Sequence, residues 1–310
     1  MNFLKLNKIF SKWSIIIIFL LLSLLIIRML PIYDNNDETE GFTNYSIEKF
    51  TQKEKIEDIY DDFYVKVYDQ LFYSDQKNNF EITNIEKKTD LSKSSKILDI
   101  GCGTGSHAYF FDKSGYNVIG LDKSKSMINY CKKSFPKITF KLGDANNTLL
   151  FNEGSFTHIT CLYFTMYYIS NKRQFFENCM YWLQPGGYLV VHLVNKKMFD
   201  PIVPSGNPLF FVSPQKYAKS RITHTDVKFK NFEYSSNFHI SDSSSNAKFI
   251  EEFKTSKSKQ FRKNVHKLYM NTQKEILGIA KNMGFIVFSK MHMTECEYEY
   301  NYLYFLQKPF

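Results

Sequence analysis

Residues 13–30 (WSIIIIFLLLSLLIIRML) are apolar at almost every position, which predicts a helix that is hydrophobic on all faces and just long enough to span a bilayer. Residues 31–45 are polar and read as a linker. In 46–73 the apolar positions Ile56, Ile59, Tyr60, Phe63, Tyr64, Val67, Tyr68 and Leu71 recur at helical spacing, so one or two amphipathic helices are expected. A polar stretch covers 74–95. Short apolar runs then alternate with helical patterns. Strands are expected at 96–100, 117–121, 137–142, 156–163 and 188–194, and helices at 106–114, 124–134 and 172–183. Ser124 and Asn171 are placed to cap two of these helices. QPGG at 184–187 reads as a turn. This rhythm predicts a parallel sheet with helices on both faces.

Beyond residue 199 the alternation stops. A loop rich in Pro, Gly and Ser (DPIVPSGNP) leads into VKFKNFEYSSNFHI and a serine patch, the pattern of a mostly antiparallel insertion over 199–263. A helix is expected around 265–283, ended by Gly284 in a C-cap role. Strands at 285–291 and 298–307 close the chain. The expected organisation is an anchor at 1–30, a linker at 31–45 and one domain at 46–310.

Charge sharpens the reading of the N-terminus. Lys5, Lys8 and Lys12 precede the apolar run, Asp34, Asp37, Glu38 and Glu40 follow it, and no small-x-small cleavage signal is present. These features predict an uncleaved, single-pass membrane anchor. The lysines favour a cytosolic N-terminus, which would part the domain from ligands made in the cytosol, so its side stays open. The net charge of +9 comes from scattered lysines in a chain rich in Asn, Ile, Phe and Tyr, so nucleic acid is not an expected partner. Five cysteines without a CxxC pair argue against a zinc cluster or a disulfide framework, and no metal is expected.

The candidate chemistry lies at 97–111, ILDIGCGTGSHAYFF, where a strand breaks into glycines and resumes as a helix. Such junctions let the backbone approach a ligand closely. A phosphate-cradling GxxxxGK[ST] loop is absent, and Gly101, Gly103 and Gly105 are spaced GxGxG, with Ser106 where a dinucleotide loop needs its third glycine. Asp99, two residues before the first glycine, would repel a pyrophosphate and suits a ligand with a cationic head.

LDIGCGTG resembles motif I of class I S-adenosylmethionine-dependent methyltransferases. GLDKSKSMI (120–128), LGDANN (142–147), ITCLYFTMYYI (159–169) and LQPGGYLVV (183–191) resemble the later motifs in order and spacing. One departure is Phe156-Thr157, where the family has Phe-Asp. Within the family the chain is similar to small-molecule enzymes of the type 11/25 kind, including nucleotide-sugar N-methyltransferases, which carry an antiparallel insertion after strand five. The resemblance implies an α/β fold: a Rossmann-like seven-stranded sheet with helices on both faces, to which the N-terminal transmembrane helix would be added.

The resemblance also implies S-adenosylmethionine as cofactor and assigns contacts to it. These are Asp99, Gly101, Cys102, Gly103, Gly105 and His107 at the first motif, Asp122, Lys123 and Met127 at the second, Asp144 and Ala145 at the third, and Cys161 on strand four. Tyr64 and Tyr68 would form a lid. Tyr163 and His192 are the candidates to act on the acceptor, with Tyr167, Tyr168 and Asn195 near the same mouth. The implied activity is methyl transfer by a membrane-anchored enzyme to a small-molecule, sugar or lipid-like acceptor. RNA or protein methylation, or a non-catalytic membrane-tethered binding module, are the alternatives.

Overall fold

The computed structural model describes residues 17–23, 50–206, 214–241, 243–255 and 259–310. Chain contacts separate 1–45 from 46–310, and the architecture below is that of the second unit. Strand β1 (Thr51–Lys53) and helices α1 (Ile56–Ile59), α2 (Asp62–Phe72) and α3 (Asp75–Thr89) come first. The alternating part follows: β2 (Lys96–Ile100), α4 (Ser106–Lys113), β3 (Asn117–Asp122), α5 (Lys125–Ser134), β4 (Thr139–Leu142) and β5 (Phe156–Cys161). It continues through α6 (Thr165–Tyr168), α7 (Lys172–Trp182) and β6 (Leu183–Val194). Four strands make the insertion: β7 (His224–Lys228), β8 (Phe232–Ile240), β9 (Asn246–Thr255) and β10 (Gln260–Tyr269). Helix α8 (Gln273–Asn282) and strands β11 (Ile286–Met293) and β12 (Tyr298–Gln307) end the chain.

Seven strands form one sheet in the order β11-β12-β6-β5-β2-β3-β4. Strands β2 to β6 pair in parallel, and β12 runs antiparallel to both of its neighbours. Because both faces are covered, β2 and the second half of β6 are buried at consecutive positions rather than alternately, with Asp99 and His192 as the polar exceptions to their apolar sequence. Ser124 and Asn171 cap α5 and α7 as expected, accepting from Met127 N at 3.1 Å and Gln174 N at 3.1 Å. Trp182 ends α7 fully buried, with its Nε1 donating to Thr148 O at 3.0 Å. Trp182→Ala is expected to destabilise the chain by about 3–5 kcal/mol in urea unfolding, from lost transfer energy and the cavity left behind. A change below about 1 kcal/mol would mean the site collapses around the smaller side chain.

A second sheet has the order β1-β10-β9-β8-β7. Its four inserted strands are antiparallel, and β1 adds to it in parallel, with Thr51 to Lys53 opposite Arg262 to Asn264. The segment before the first helix thus belongs to the insertion. Arg262 reinforces the union: Nη1 donates to both Asp61 carboxylate oxygens at 2.9 and 3.1 Å, and Nη2 to Ile59 O at 2.6 Å.

Several expectations need correction. The polar stretch 74–95 contains α3, whose inward face carries Lys77, Asn78 and Glu81, so no apolar periodicity marks it. The helix expected over 265–283 is a strand to Tyr269 and a helix only from Gln273. Strand β10 buries Arg262, Asn264 and His266 alternately, a period of two that polar side chains conceal, and the insertion extends accordingly beyond 263. QPGG lies within β6, where Gly186 N donates to Lys308 O at 3.0 Å near the end of the chain.

The membrane-spanning helix is also corrected. Among the described residues no helix is long and apolar enough to cross a membrane. Of the expected anchor only 17–23 is described, a helical stretch of roughly 10 Å against a hydrocarbon core of about 30 Å. The rest of 1–30, and the linker at 31–45, lie outside the described residues. The single-pass location, the membrane partner and the membrane-anchored form of the enzyme have no support in the structure and are withdrawn.

Candidate cofactor and acceptor site

A cavity of about 290 Å³ lies beyond the C-terminal ends of β2, β3, β4 and β5, the place where open parallel sheets bind ligands. Its floor is the glycine loop. Gly101 has φ +70°, and a Cβ there would fall 2.4 Å from Thr165 Cγ2, so only glycine lets the loop pass beneath α6. Gly101 N and Cys102 N both donate to Leu121 O, at 2.7 and 3.1 Å, which ties the loop to the end of β3.

Three carboxylates follow the sheet across this floor. Asp99 on β2 is 2 % exposed; its Oδ1 accepts from Thr160 Oγ1 at 2.8 Å, while Oδ2 is buried without a hydrogen-bond partner. Asp122 ends β3, and its two oxygens accept from Gly103 N at 2.9 Å and Ser124 N at 2.8 Å. Burial raises both carboxyls above the ordinary aspartate value, opposed at Asp99 by His107 and Thr160 and at Asp122 by the backbone N–H groups. Asp144 follows β4; its Oδ1 accepts from Asn146 N at 2.9 Å, and its Oδ2 lies 3.3 Å from Lys123 Nζ. Lys123 also meets Glu57 at 2.9 Å, and this pairing, more than the opposing burial, raises its pKa.

Cations stand at the other end of the loop. Glu81 Oε2 on α3 accepts from Lys77 Nζ at 2.9 Å and lies 2.7 Å from His107 Nε2, and its Oε1 is 3.4 Å from His192 Nδ1. Burial alone would raise this carboxyl, but the Lys77 charge and the two histidines hold it well below the ordinary glutamate value. Lys77 also donates to Asn78 Oδ1 at 2.7 Å and sits 5.3 Å from the Tyr163 ring centroid.

The remaining walls are aromatic. Tyr60, Tyr64 and Tyr68 come from the N-terminal segment, Tyr163, Phe164 and Tyr168 from the loop and helix after β5, and Phe238 and Phe249 from the insertion. Asp69 joins the loop by accepting from Thr104 Oγ1 at 2.7 Å. Ser124 Oγ donates to Tyr60 O at 2.6 Å, and Tyr64 OH donates to Glu251 at 2.8 Å, so the tyrosine-bearing segment is held from both sheets.

Of the residues expected at the site, the cavity gathers Asp99, Gly101, Cys102, Gly103, His107, Asp122, Lys123, Asp144, Ala145, Tyr64, Tyr68 and Tyr163. Tyr168, named near the same mouth, is there too. Gly105, Met127, Cys161 and His192 do not line it. Gly105 starts α4 at φ +86°, where a Cβ would meet Cys131 Sγ and Phe135 instead. Met127 and Cys161 are fully buried in the core. His192 is fully buried behind Tyr163, between Glu81 and Asn301, whose Oδ1 is 3.0 Å from its Nε2. Tyr167 and Asn195 are also turned away: the Tyr167 hydroxyl accepts from Val194 N at 2.8 Å and Asn195 Oδ1 from Lys197 N at 3.1 Å. The sequence reading missed Tyr60, Asp69, Lys77 and Thr165. Tyr60, Tyr64 and Tyr68 recur every fourth residue and Lys77 has Glu81 at i+4, signals that were available; nothing local marks Thr165.

Residues 97–187 match the family model described as a methyltransferase domain. A putative methyltransferase, 235L, of Invertebrate iridescent virus 6 is 30% identical over 111 residues, covering 35% of this chain and 40% of that protein. The dTDP-4-amino-2,3,4,6-tetradeoxy-D-glucose N,N-dimethyltransferase of Saccharopolyspora spinosa is 32% identical over 108 residues, covering 34% and 42%. The chain thus spans less than half the length of these two curated relatives. Among solved structures, an S-adenosylmethionine-dependent methyltransferase from Clostridium acetobutylicum superposes with a TM-score of 0.59 at 14% identity, covering 80% of this chain and 96% of that one. Streptomyces venezuelae DesVI gives 0.54 at 18% identity, covering 76% and 91%. At these identities the structures establish the fold.

Proposed function

The chain is a class I S-adenosylmethionine-dependent methyltransferase by domain and fold, and on that premise we propose that it methylates a small-molecule or sugar-like acceptor. The observation that carries the reading is the row of Asp99, Asp122 and Asp144 at the ends of three adjacent strands, along one cavity floored by glycines. Phosphate-bearing ligands are repelled by such a row. S-adenosylmethionine, with an ammonium, a sulfonium, two ribose hydroxyls and an adenine amino group, is attracted by it.

The residues present fit that cofactor. The unpartnered Asp99 Oδ2 supplies a buried negative end at the glycine loop. Asp122, oriented by two backbone N–H groups, keeps lone pairs for the ribose hydroxyls. Asp144 and Asn146 would read an adenine amino group, and Lys77, with donor capacity beyond Glu81 and Asn78, would hold the methionine carboxylate. When bound, the cofactor supplies an electrophilic methyl carbon on a sulfonium leaving group. The protein's share of the rate is positioning, on the order of 7–11 kcal/mol in well-aligned systems. The tyrosines hold the acceptor in line, and the insertion closes over it to exclude water. Amino sugars, acted on by one of the relatives by its name, are first candidates for assay.

Calorimetric titration of the full chain with S-adenosylmethionine tests the reading, followed by a tritiated-methyl screen over amino sugars, simple amines and phenols. Binding with label transfer is expected, and absence of binding overturns the proposal. Binding should also depend on pH. A cationic ligand favours the ionised forms of Asp99 and Asp122, whose pKa values burial has raised, so binding releases protons and affinity falls as pH drops toward those values. Titrations in two buffers of different ionisation enthalpy read this release. Equal enthalpies, with affinity constant as pH is lowered to the ordinary aspartate value, would remove the two carboxyls from the binding site.

A further inference from the structure

On the acceptor side of the cavity a chain of polar groups runs from the wall into the interior of the insertion. The Tyr168 hydroxyl lies 2.8 Å from His266 Nδ1, and His266 Nε2 lies 2.7 Å from Glu251 Oε2. His266 and Glu251 are 1 % and 0 % exposed, while Tyr168 lines the cavity. Glu251 is saturated: Asn264 Nδ2 donates to Oε2 at 3.0 Å, and the Tyr64 and Tyr234 hydroxyls donate to Oε1 at 2.8 and 2.9 Å. Burial opposes its ionisation, but His266 and these donors outweigh it and hold the carboxyl below the ordinary glutamate value.

The two histidine nitrogens are therefore committed in opposite senses. An ionised carboxylate accepts, so Nε2 carries a proton, and in the neutral ring Nδ1 offers its lone pair to the Tyr168 hydroxyl. A neutral packing role would be served as well by apolar side chains, since burying a charged pair seldom adds stability. The arrangement joins α6 of the main sheet to β9 and β10 of the insertion, and it reaches the cavity through Tyr168 at the histidine and Tyr64 at the carboxylate.

We infer that Tyr168, backed by His266 and Glu251, takes up the proton that the methyl acceptor gives up. The inference rests on the methyltransferase reading. The acceptor's lone pair forms the new bond to the methyl carbon as the carbon–sulfur bond breaks and its electron pair leaves with sulfur. The acceptor's N–H or O–H proton passes to the Tyr168 oxygen, and the Tyr168 proton passes to His266 Nδ1. The resulting imidazolium is stabilised by Glu251. Tyr168 is then the catalytic residue, and His266 and Glu251 are positioning residues. The acceptor class is narrowed to groups bearing a transferable proton, a primary or secondary amine or a hydroxyl, and excludes thioethers and tertiary amines.

Groups facing His266 from every side are Glu251 on β9, Tyr168 on α6, Tyr60 and Tyr64 from the N-terminal segment, and the Phe249 ring. Arg262, further along its own strand, is turned to Asp61.

The test combines spectroscopy and kinetics on the full chain. With 15N-histidine NMR, assigned by His266→Gln, His266 is expected to carry a proton on Nε2 and to show an Nδ1 resonance that moves in Tyr168→Phe. An Nδ1 resonance unchanged in Tyr168→Phe overturns the relay. In the tritiated-methyl assay, Tyr168→Phe and His266→Gln are expected to lower kcat about 10²–10⁴-fold at neutral pH and to make the rate climb steadily with pH. Calorimetric affinity for S-adenosylmethionine should stay unchanged. Retained kcat, or a loss that only tracks falling affinity and melting temperature, overturns the relay too. If the wild-type chain binds no S-adenosylmethionine, the methyltransferase reading has failed, and the NMR comparison still decides the relay.

Discussion

Replacing Glu81 by alanine is expected to destabilise the fold by about 3–5 kcal/mol, the range for removing one partner of a buried ion pair. Glu81 is fully buried, and Lys77, 3 % exposed, depends on it for its countercharge. Without the carboxylate, Lys77 loses its ion pair, and His107 and His192 lose the group that orients them. Urea unfolding measures the loss, and Glu81→Ala combined with Lys77→Met should recover part of it, because the stranded charge is gone. The folded-state pKa of Glu81 is depressed, so its stabilisation is complete above the ordinary glutamate value and is lost as pH falls through the lower folded value. The acid limb of the stability profile should therefore be shallower in Glu81→Gln. A Glu81→Ala change below about 1 kcal/mol would show that the cluster does not organise α3.

Substituting Asp122 by alanine is expected to weaken S-adenosylmethionine binding at least about a hundredfold. Two charge-assisted hydrogen bonds to ribose hydroxyls contribute roughly 1.5–3 kcal/mol each, and their joint loss reaches that factor. The same change frees Gly103 N and Ser124 N, which now donate to the carboxylate and shape the loop. Asp122→Asn keeps one of the two acceptors and turns an NH2 toward the other N–H, so a loss of affinity in Asp122→Asn at unchanged melting temperature implicates the charge, and a loss that tracks melting temperature in both variants implicates loop geometry. The readout is calorimetric affinity, with the melting temperature as a check on folding. Affinity within about threefold of wild type in Asp122→Ala would remove Asp122 from the ribose contact.

The two substitutions divide along what could be read without coordinates. Asp122 and Asp144 were visible through the resemblance of GLDKSKSMI and LGDANN to the family's motifs, each a short continuous segment. Asp99, the glycine spacing, the strand and helix alternation and the insertion after the fifth strand of the motif series were visible in the local pattern itself. In each case the residues that form the feature are neighbours in the chain, and apolar runs, caps and glycines express short-range steric and hydrogen-bonding preferences.

Glu81 was overlooked because only part of its environment is local: Lys77 is one turn away on α3, but His107 and His192 come from other elements. Helix α3 buries Lys77, Asn78 and Glu81 beside Ile82 and Ile85, and β10 buries Arg262, Asn264 and His266 beside Val265 and Leu268, so polar side chains masked the periodicity of both. Their burial is made tolerable by partners the fold brings up: His107 and His192 at Glu81, Asp61 at Arg262, Glu251 at His266. The apolar run at 13–30 erred in the opposite direction, since a local pattern suggested a membrane span for which the described structure offers no helix of sufficient length. Local patterning, together with the resemblance its motifs carry, thus determined the seven-stranded framework and the acids on its floor. Only tertiary structure decided the polar clusters around the cavity, because a buried charge is stable only where the fold brings its partner within hydrogen-bonding distance.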